Sequence, residues 1–171
     1  MYSKEIKIGL SVLLLLGITY LFYLGWWGTG ISLIFVLGLI ILSIFKNEYN
    51  MLAFFWMRKG NFEKAEKTLL LIKHPDKFSK SQHSFYYYLL GIVESQKKSF
   101  AKSERYFKKA LEIGLRMDQD KAMAKLNLAG FSLSKRNKRE AMMHLAEAKK
   151  LDKNKLMTDQ VKMIEAQLKR I

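Results

Sequence analysis

Few residues of this chain combine a reactive side chain with a spacing that chemistry requires. The sequence has no cysteine, which excludes thiol catalysis, disulfides and thiolate metal sites. His74, Asp76 and His83 come close together in the sequence, but they lack the spacing of metal ligands on a helix. No phosphate-binding glycine loop, catalytic triad or carboxylate pair is recognisable. We therefore predict that the protein is not an enzyme and has no catalytic, metal or cofactor site.

The polar residues that stand out are basic. The chain has 30 Lys and Arg residues against 15 Asp and Glu residues, a formal net charge of +15. Many lie in three short polar stretches between apolar segments. From these stretches we define the basic ridge as Arg58, Lys59, Lys97, Lys98, Lys135, Arg136, Lys138 and Arg139. Aligned on one edge of a stack, the ridge would attract acidic peptides, phosphates or anionic lipid headgroups. The alternative is a set of ordinary solvated turns.

The segments that carry these turns repeat every 38 residues. Small residues recur at Ala53, Gly91 and Ala129. Two more series have the same spacing, namely Ala65, Ser103 and Ala141, and Leu69, Phe107 and Leu145. Each unit holds two apolar-periodic segments joined by a basic turn, a pattern typical of helix–turn–helix hairpins with small residues where the helices cross. The sequence therefore predicts an all-α protein with a helical solenoid.

These repeats resemble the tetratricopeptide repeat (TPR) family. The resemblance covers about residues 46–151 and rests on bulky, small and aromatic residues in the family's order. They are Tyr49, Leu52, Ala53, Trp56, Phe62, Ala65, Leu69 and Ile72 in unit one; Tyr87, Leu90, Gly91, Phe100, Ser103, Phe107 and Ala110 in unit two; and Leu128, Ala129, Ala141, Leu145 and Ala148 in unit three. The period departs from the family's value of about 34 residues. Lys125 and Lys138 also replace expected apolar or aromatic residues.

The resemblance implies a partner groove lined mainly by the first helix of each unit. It places Tyr86, Glu94, Asn127 and Lys135 among the groove residues. Asn127 is the one expected to hold a peptide backbone, because TPR proteins that bind peptides often use an Asn on this helix. The alternative for Asn127 is an ordinary solvated polar residue.

The residues before the repeats are apolar and nearly uncharged. The run from Ile6 to Leu24 would extend roughly 28 Å as a helix, close to the ~30 Å hydrocarbon core of a bilayer. A second apolar run follows a turn rich in Gly and Trp. We therefore predict a two-helix transmembrane hairpin followed by the solenoid and a C-terminal capping helix. The predicted bounds are 1–46 for the hairpin (spans about 6–24 and 29–46) and 47–171 for the TPR-like domain (repeats about 46–75, 84–115 and 122–151, cap 158–171).

Basic residues flank this hairpin on one side only. Lys4 and Lys7 precede the first span and Lys46 follows the second, while the turn has no charge. The positive-inside rule then predicts a multi-pass protein of a bacterial inner membrane, with both termini and the repeat domain cytoplasmic.

Together these features predict a membrane-anchored scaffold or adaptor. Its TPR-like domain would bind a protein partner, with an acidic partner favoured by the ridge, and the hairpin would contact the lipid bilayer. One alternative is an accessory subunit of a larger membrane complex, and another is a basic module that binds anionic lipid or nucleic acid. Nucleic acid is disfavoured because Arg is scarce and no binding motif is recognisable. The sequence leaves the oligomeric state open.

Overall fold

The computed structural model describes residues 4–45 and 48–170, and every regular element within these ranges is a helix. The prediction of an all-α protein is thus confirmed for these residues. The chain divides into two units, Met1–Glu48 and Tyr49–Ile171. The helices are α1 (Lys4–Tyr23), α2 (Trp27–Phe45), α3 (Glu48–Arg58), α4 (Phe62–Leu70), α5 (Lys80–Gln96), α6 (Phe100–Ile113), α7 (Asp118–Ser134), α8 (Lys138–Leu151) and α9 (Thr158–Leu168), with a 3₁₀ turn at Pro75–Lys77. The predicted segment ends at Lys46 and Ile171 lie outside the described residues.

The first unit is a pair of helices joined by a short turn. The rings of Phe22 in α1 and Trp27 in α2 meet edge to face, with centroids 5.4 Å apart. Gly30 of α2 packs against the ring of Phe22, where a β-carbon would come within 3.0 Å of a ring atom. Across the described part of the chain, no helix has both the length and the apolar character needed to cross a membrane.

The predicted transmembrane hairpin, with spans 6–24 and 29–46, is therefore wrong. In α1, the residues Lys4, Glu5 and Lys7 are charged, so the uncharged remainder of the helix is only about 24 Å long. In α2, the mostly apolar segment begins after Gly30 and extends roughly 22 Å. Both values fall short of the ~30 Å core. The predicted localisation, with a cytoplasmic repeat domain on an inner-membrane anchor, is wrong for the same reason.

The second unit is a succession of three helical hairpins, α3–α4, α5–α6 and α7–α8, followed by α9. A turn of three residues joins the two helices of each hairpin. Equivalent backbone hydrogen bonds occur in the three turns, 38 positions apart. The N–H groups of Asn61, Ser99 and Asn137 donate to the carbonyls five residues earlier, over 2.9, 2.9 and 2.8 Å. The middle residue of each turn has a left-handed backbone. These residues are Gly60 (φ 74°), Lys98 (φ 60°) and Arg136 (φ 57°). This is the Schellman motif, which satisfies the last carbonyls of a helix.

The three 38-residue series of small and bulky residues form the packing between the helices. All nine of their members are buried. The closest approach is at Gly91 of α5, where a β-carbon would lie 2.8 Å from two ring carbons of Phe107 on α6. The hydroxyl of Ser103, also on α6, donates to the Gly91 carbonyl over 2.7 Å. The crossing of α5 and α6 is therefore so close that only glycine fits at position 91.

Candidate binding clefts

An open, largely apolar cleft lies along α7 and α9, and we call it the α7–α9 cleft. Its volume is about 360 Å³. Buried side chains form its floor, among them Leu126, Phe131 and Ile164. Met163 of α9 is 62% exposed and Phe100 of α6 is 48% exposed, so both offer apolar surface to the cleft. Such a cavity suits an apolar ligand group.

The polar groups of the α7–α9 cleft are uncharged. The amides of Asn127, Gln160 and Gln167 and the hydroxyl of Ser134 line it, and no ionisable side chain does. The Asn127 side-chain nitrogen donates to the Met123 carbonyl one turn earlier, over 2.9 Å. Amides can pair with both N–H and C=O groups of a peptide. The chemistry of the cleft therefore matches a neutral peptide segment better than a charged ligand.

The position of α9 beside α7 depends on the linker that precedes it. Asp152 is buried, and its carboxylate oxygens accept from the backbone N–H groups of Leu156 and Met157 over 3.0 and 2.9 Å. Lys149 of α8 forms an ion pair with Glu165 of α9. These contacts set the face that α9 presents to the cleft.

A second cleft, of about 440 Å³, lies between α5 and α6. We call it the tyrosine cleft, and it is lined by Pro75, Tyr86, Tyr87, Leu90, Arg105, Tyr106 and Lys109. The rings of Tyr87 and Tyr106 stack with centroids 6.0 Å apart. The ring of Tyr86 meets that of Tyr87 edge to face at 5.2 Å. Burial raises the pKa of Tyr86, and Tyr87 and Tyr106 add to this shift. Its hydroxyl therefore stays protonated as a hydrogen-bond donor.

The four predicted groove residues occupy different surroundings. Tyr86 lines the tyrosine cleft, whereas Asn127 lines the α7–α9 cleft. The Glu94 side chain is buried, with one oxygen 3.8 Å from the Lys97 amine. Lys135 pairs with Glu104 of α6 over 2.5 Å. Their role in partner binding stays a prediction.

The sequence prediction missed the contribution of α9 to a cleft, because α9 was assigned only the role of a cap. A signal was available in its residues. Gln160, Met163 and Gln167 are spaced i, i+3 and i+7, which places them on one face of a helix. Two amides and an exposed methionine on one face are unusual for a segment that only covers a core.

Ion pairs between successive hairpins use part of the basic ridge. Lys97 pairs with Glu66 of α4 over 2.7 Å, and Lys135 pairs with Glu104 of α6. The two lysines are 38 residues apart, as are the two glutamates. The hydrogen bond that the Lys97 amine donates to the Glu66 carboxylate raises the pKa of Lys97. These two ridge lysines therefore join neighbouring hairpins, and binding of an external partner by the ridge stays a prediction.

Comparison with known proteins finds similarity over part of the chain. Residues 44–113 match the family described as "AimR transcriptional regulator-like". The AimR transcriptional regulator of Bacillus phage phi3T is 36% identical over 58 residues, which cover 34% of this chain and 15% of that protein. The family match extends over the first two hairpins of the second unit. No solved structure matches the chain significantly.

Proposed function

We propose that the second unit is a TPR-like, protein-binding repeat domain that takes an extended, neutral segment of a partner protein into the α7–α9 cleft. The observation that carries this proposal is the lining of that cleft, an apolar floor with three side-chain amides and no charge. Peptide-binding helical repeats combine pockets for apolar side chains with polar groups for the backbone.

The repeat geometry supports a TPR-like arrangement. Three hairpins share one turn conformation at a constant spacing, and their small residues lie where the helices cross. Stacked hairpins of this kind bury their apolar faces against their neighbours and leave extended surfaces for partners. The period of 38 residues is longer than that of the family, and the turn keeps one conformation in all three hairpins.

A regulatory protein is favoured over an enzyme. The partial match is to a protein described as a transcriptional regulator. The lining of the α7–α9 cleft holds no group that could act as a nucleophile, acid or base at neutral pH apart from the Ser134 hydroxyl. That hydroxyl donates to the Phe131 carbonyl over 2.7 Å. Recognition without chemistry therefore fits this cleft best.

The cleft volume limits what enters it. About 360 Å³ lies at the low end for ligand pockets. A few residues of a segment would occupy it, and the rest would extend past the rim.

Ser134 lines the cleft and the turn with Arg136 follows it directly. Acidic residues beside the apolar anchor would therefore be favoured by the ridge.

A selection from a random peptide display library on the full chain tests this proposal. Selected peptides are then bound to chains that carry a photo-crosslinking residue at Met163 of the cleft or at Met143 of α8. The two positions have similar exposure, 62% and 51%. We expect apolar peptides that cross-link at Met163 and not at Met143.

Blocking variants complete the test. Gly130 lines the cleft and a β-carbon there meets no atom within 4 Å, so we expect the ring of Gly130→Phe to occupy the cleft. Gly130→Ala is the matched control, since it makes the same backbone change and leaves the cleft open. We expect Gly130→Phe to abolish peptide binding and Gly130→Ala to retain it. Equal binding by both variants, or equal cross-linking at Met143, would refute the assignment of the cleft.

A further inference from the structure

The tyrosine cleft concentrates hydrogen-bond donors and positive charge without a carboxylate in its lining. Neither Arg105 nor Lys109 forms an ion pair with any residue of the described ranges. Arg105 and Lys109 also line a neighbouring depression on α6 together with Glu104 and Glu112, but neither cation forms an ion pair with these carboxylates. Glu104 is already bonded to Lys108 and Lys135, which lower its pKa. The two cleft cations therefore have charge available for a ligand.

The rings hold these cations near one another. The Lys109 amine lies 4.2 Å from the centroid of Tyr87, and the Arg105 guanidinium carbon lies 5.7 Å from that of Tyr106. Because Tyr87 and Tyr106 stack on each other, the two cations flank one pair of rings. Cation–π contacts of this kind restrict a flexible amine or guanidinium. The tyrosine rings therefore keep two of the cations of α6 beside the cleft.

The phenol groups add neutral donors to the same cleft lining. None of the hydroxyls of Tyr86, Tyr87 and Tyr106 makes a hydrogen bond to another residue in the described part of the chain. Tyr86 is 7% exposed, and its hydroxyl is not among the fully buried polar atoms that lack a partner, so it can donate to an acceptor of a ligand. The aromatic faces are occupied by each other and by the cations, which leaves little room for a stacked base.

We infer that the tyrosine cleft is a binding site for a phosphate monoester, held by Arg105 and Lys109 together with the hydroxyls of Tyr86, Tyr87 and Tyr106. Two cations match the charge of about −2 that a phosphate monoester carries near neutral pH. A guanidinium, an ammonium and three hydroxyls supply more donors than a carboxylate can accept, whereas the terminal oxygens of a phosphate accept several bonds each. The same chemistry could come from a phosphorylated metabolite or from a phosphorylated side chain.

Isothermal titration of the full chain with O-phosphoserine at low salt tests the site. We expect Arg105→Gln and Lys109→Gln each to weaken binding about tenfold or more, since a charge-assisted hydrogen bond is lost. Tyr86→Phe keeps the ring and removes only the hydroxyl, so a loss of several-fold there would place the ligand at the base of the cleft. Lys98→Gln and Arg139→Gln remove the same charge outside the cleft and are expected to change the affinity less than about twofold.

Two further ligands distinguish the possible sources and the possible errors. Equal affinity for O-phosphoserine and for a phosphoserine peptide would assign a small phosphate monoester, and a much tighter peptide complex would assign a phosphorylated protein. Acetate binding as tightly as O-phosphoserine would overturn the inference, as would an equal loss of affinity in Arg139→Gln. The site is independent of the α7–α9 cleft, so Gly130→Phe should leave O-phosphoserine binding intact.

Discussion

Replacing Gly91 by alanine is expected to destabilise the second unit, although alanine is the better helix former. The new β-carbon would lie 2.8 Å from two ring carbons of Phe107. Carbon atoms pack at roughly 3.5–4.0 Å, so one group must move by about 0.7 Å. Phe107 has little room to move, because it is fully buried and its ring contacts those of Tyr88 and Phe131 at 6.1 and 6.3 Å. Overpacking of this kind costs about 1–3 kcal/mol.

Gly130→Ala supplies the reference for helix propensity. Gly130 is also inside a helix, but its β-carbon would meet no atom within 4 Å. Alanine should therefore stabilise this site by up to about 1 kcal/mol. We expect the free energies of unfolding of the two variants to differ by about 1–3 kcal/mol, measured by urea denaturation with circular dichroism at 222 nm.

The Phe107→Leu background tests the cause of the difference. Leucine lacks the ring carbons that the new methyl group would meet, so Gly91→Ala should cost less in this background. Equal effects of Gly91→Ala with Phe or Leu at position 107 would refute steric overlap with the ring as the reason. A similar stability of Gly91→Ala and Gly130→Ala would refute the close crossing of α5 and α6.

Three other changes test separate features. Lys98→Gly should raise the free energy of unfolding by about 1 kcal/mol, because glycine adopts the left-handed backbone of the turn without strain. Arg139→Gly should lower it by about as much, because Arg139 lies in α8 and glycine is a poor helix former. Burial, with a contribution from Lys125, lowers the pKa of His144 from its ordinary 6.5 against the opposing effect of Glu140. The unfolded chain then binds the proton more readily, so stability should decrease as the pH falls below about 6.5, and His144→Gln should reduce this dependence in urea titrations at pH 7.5 and 5.5. Asp152→Ala should cost about 1–3 kcal/mol in the same assay, because two backbone N–H groups lose their acceptor, and an unchanged midpoint would contradict this role.

The buried positions of the repeats could be predicted from the sequence because a single period links them. Ala53, Gly91 and Ala129 share one spacing, and helices that cross closely require small residues at equivalent points. Lys125, which departs from the repeat pattern, is accommodated in the structure by an ion pair with Glu147 of α8. The repeat pattern considers each position separately, so it does not predict which residue pairs with Lys125.

The transmembrane prediction failed because the apolar runs were counted across charged and polar residues. The run from Ile6 to Leu24 contains Lys7, and α2 begins with a segment that holds two glycines and Thr29. The two clefts also could not be predicted from the sequence. Both depend on which faces of different helices meet, as α9 meets α7 and α6 meets α5, and periodicity within one helix does not determine this.

Successive hairpins are joined by equivalent ion pairs, so one interface between hairpins resembles the next. Lys97 pairs with Glu66 of the hairpin before it, and Lys135 pairs in the same way with Glu104. A second copy of residues 80–117, inserted after residue 117, would place its own Lys97 equivalent against Glu104 and its Glu104 equivalent against Lys135. The stack could therefore grow by whole hairpins without a new type of contact. Gene duplication, in evolution or in engineering, can therefore adjust the length of the recognition surface. Each new interface between hairpins would keep the same type of Lys–Glu ion pair.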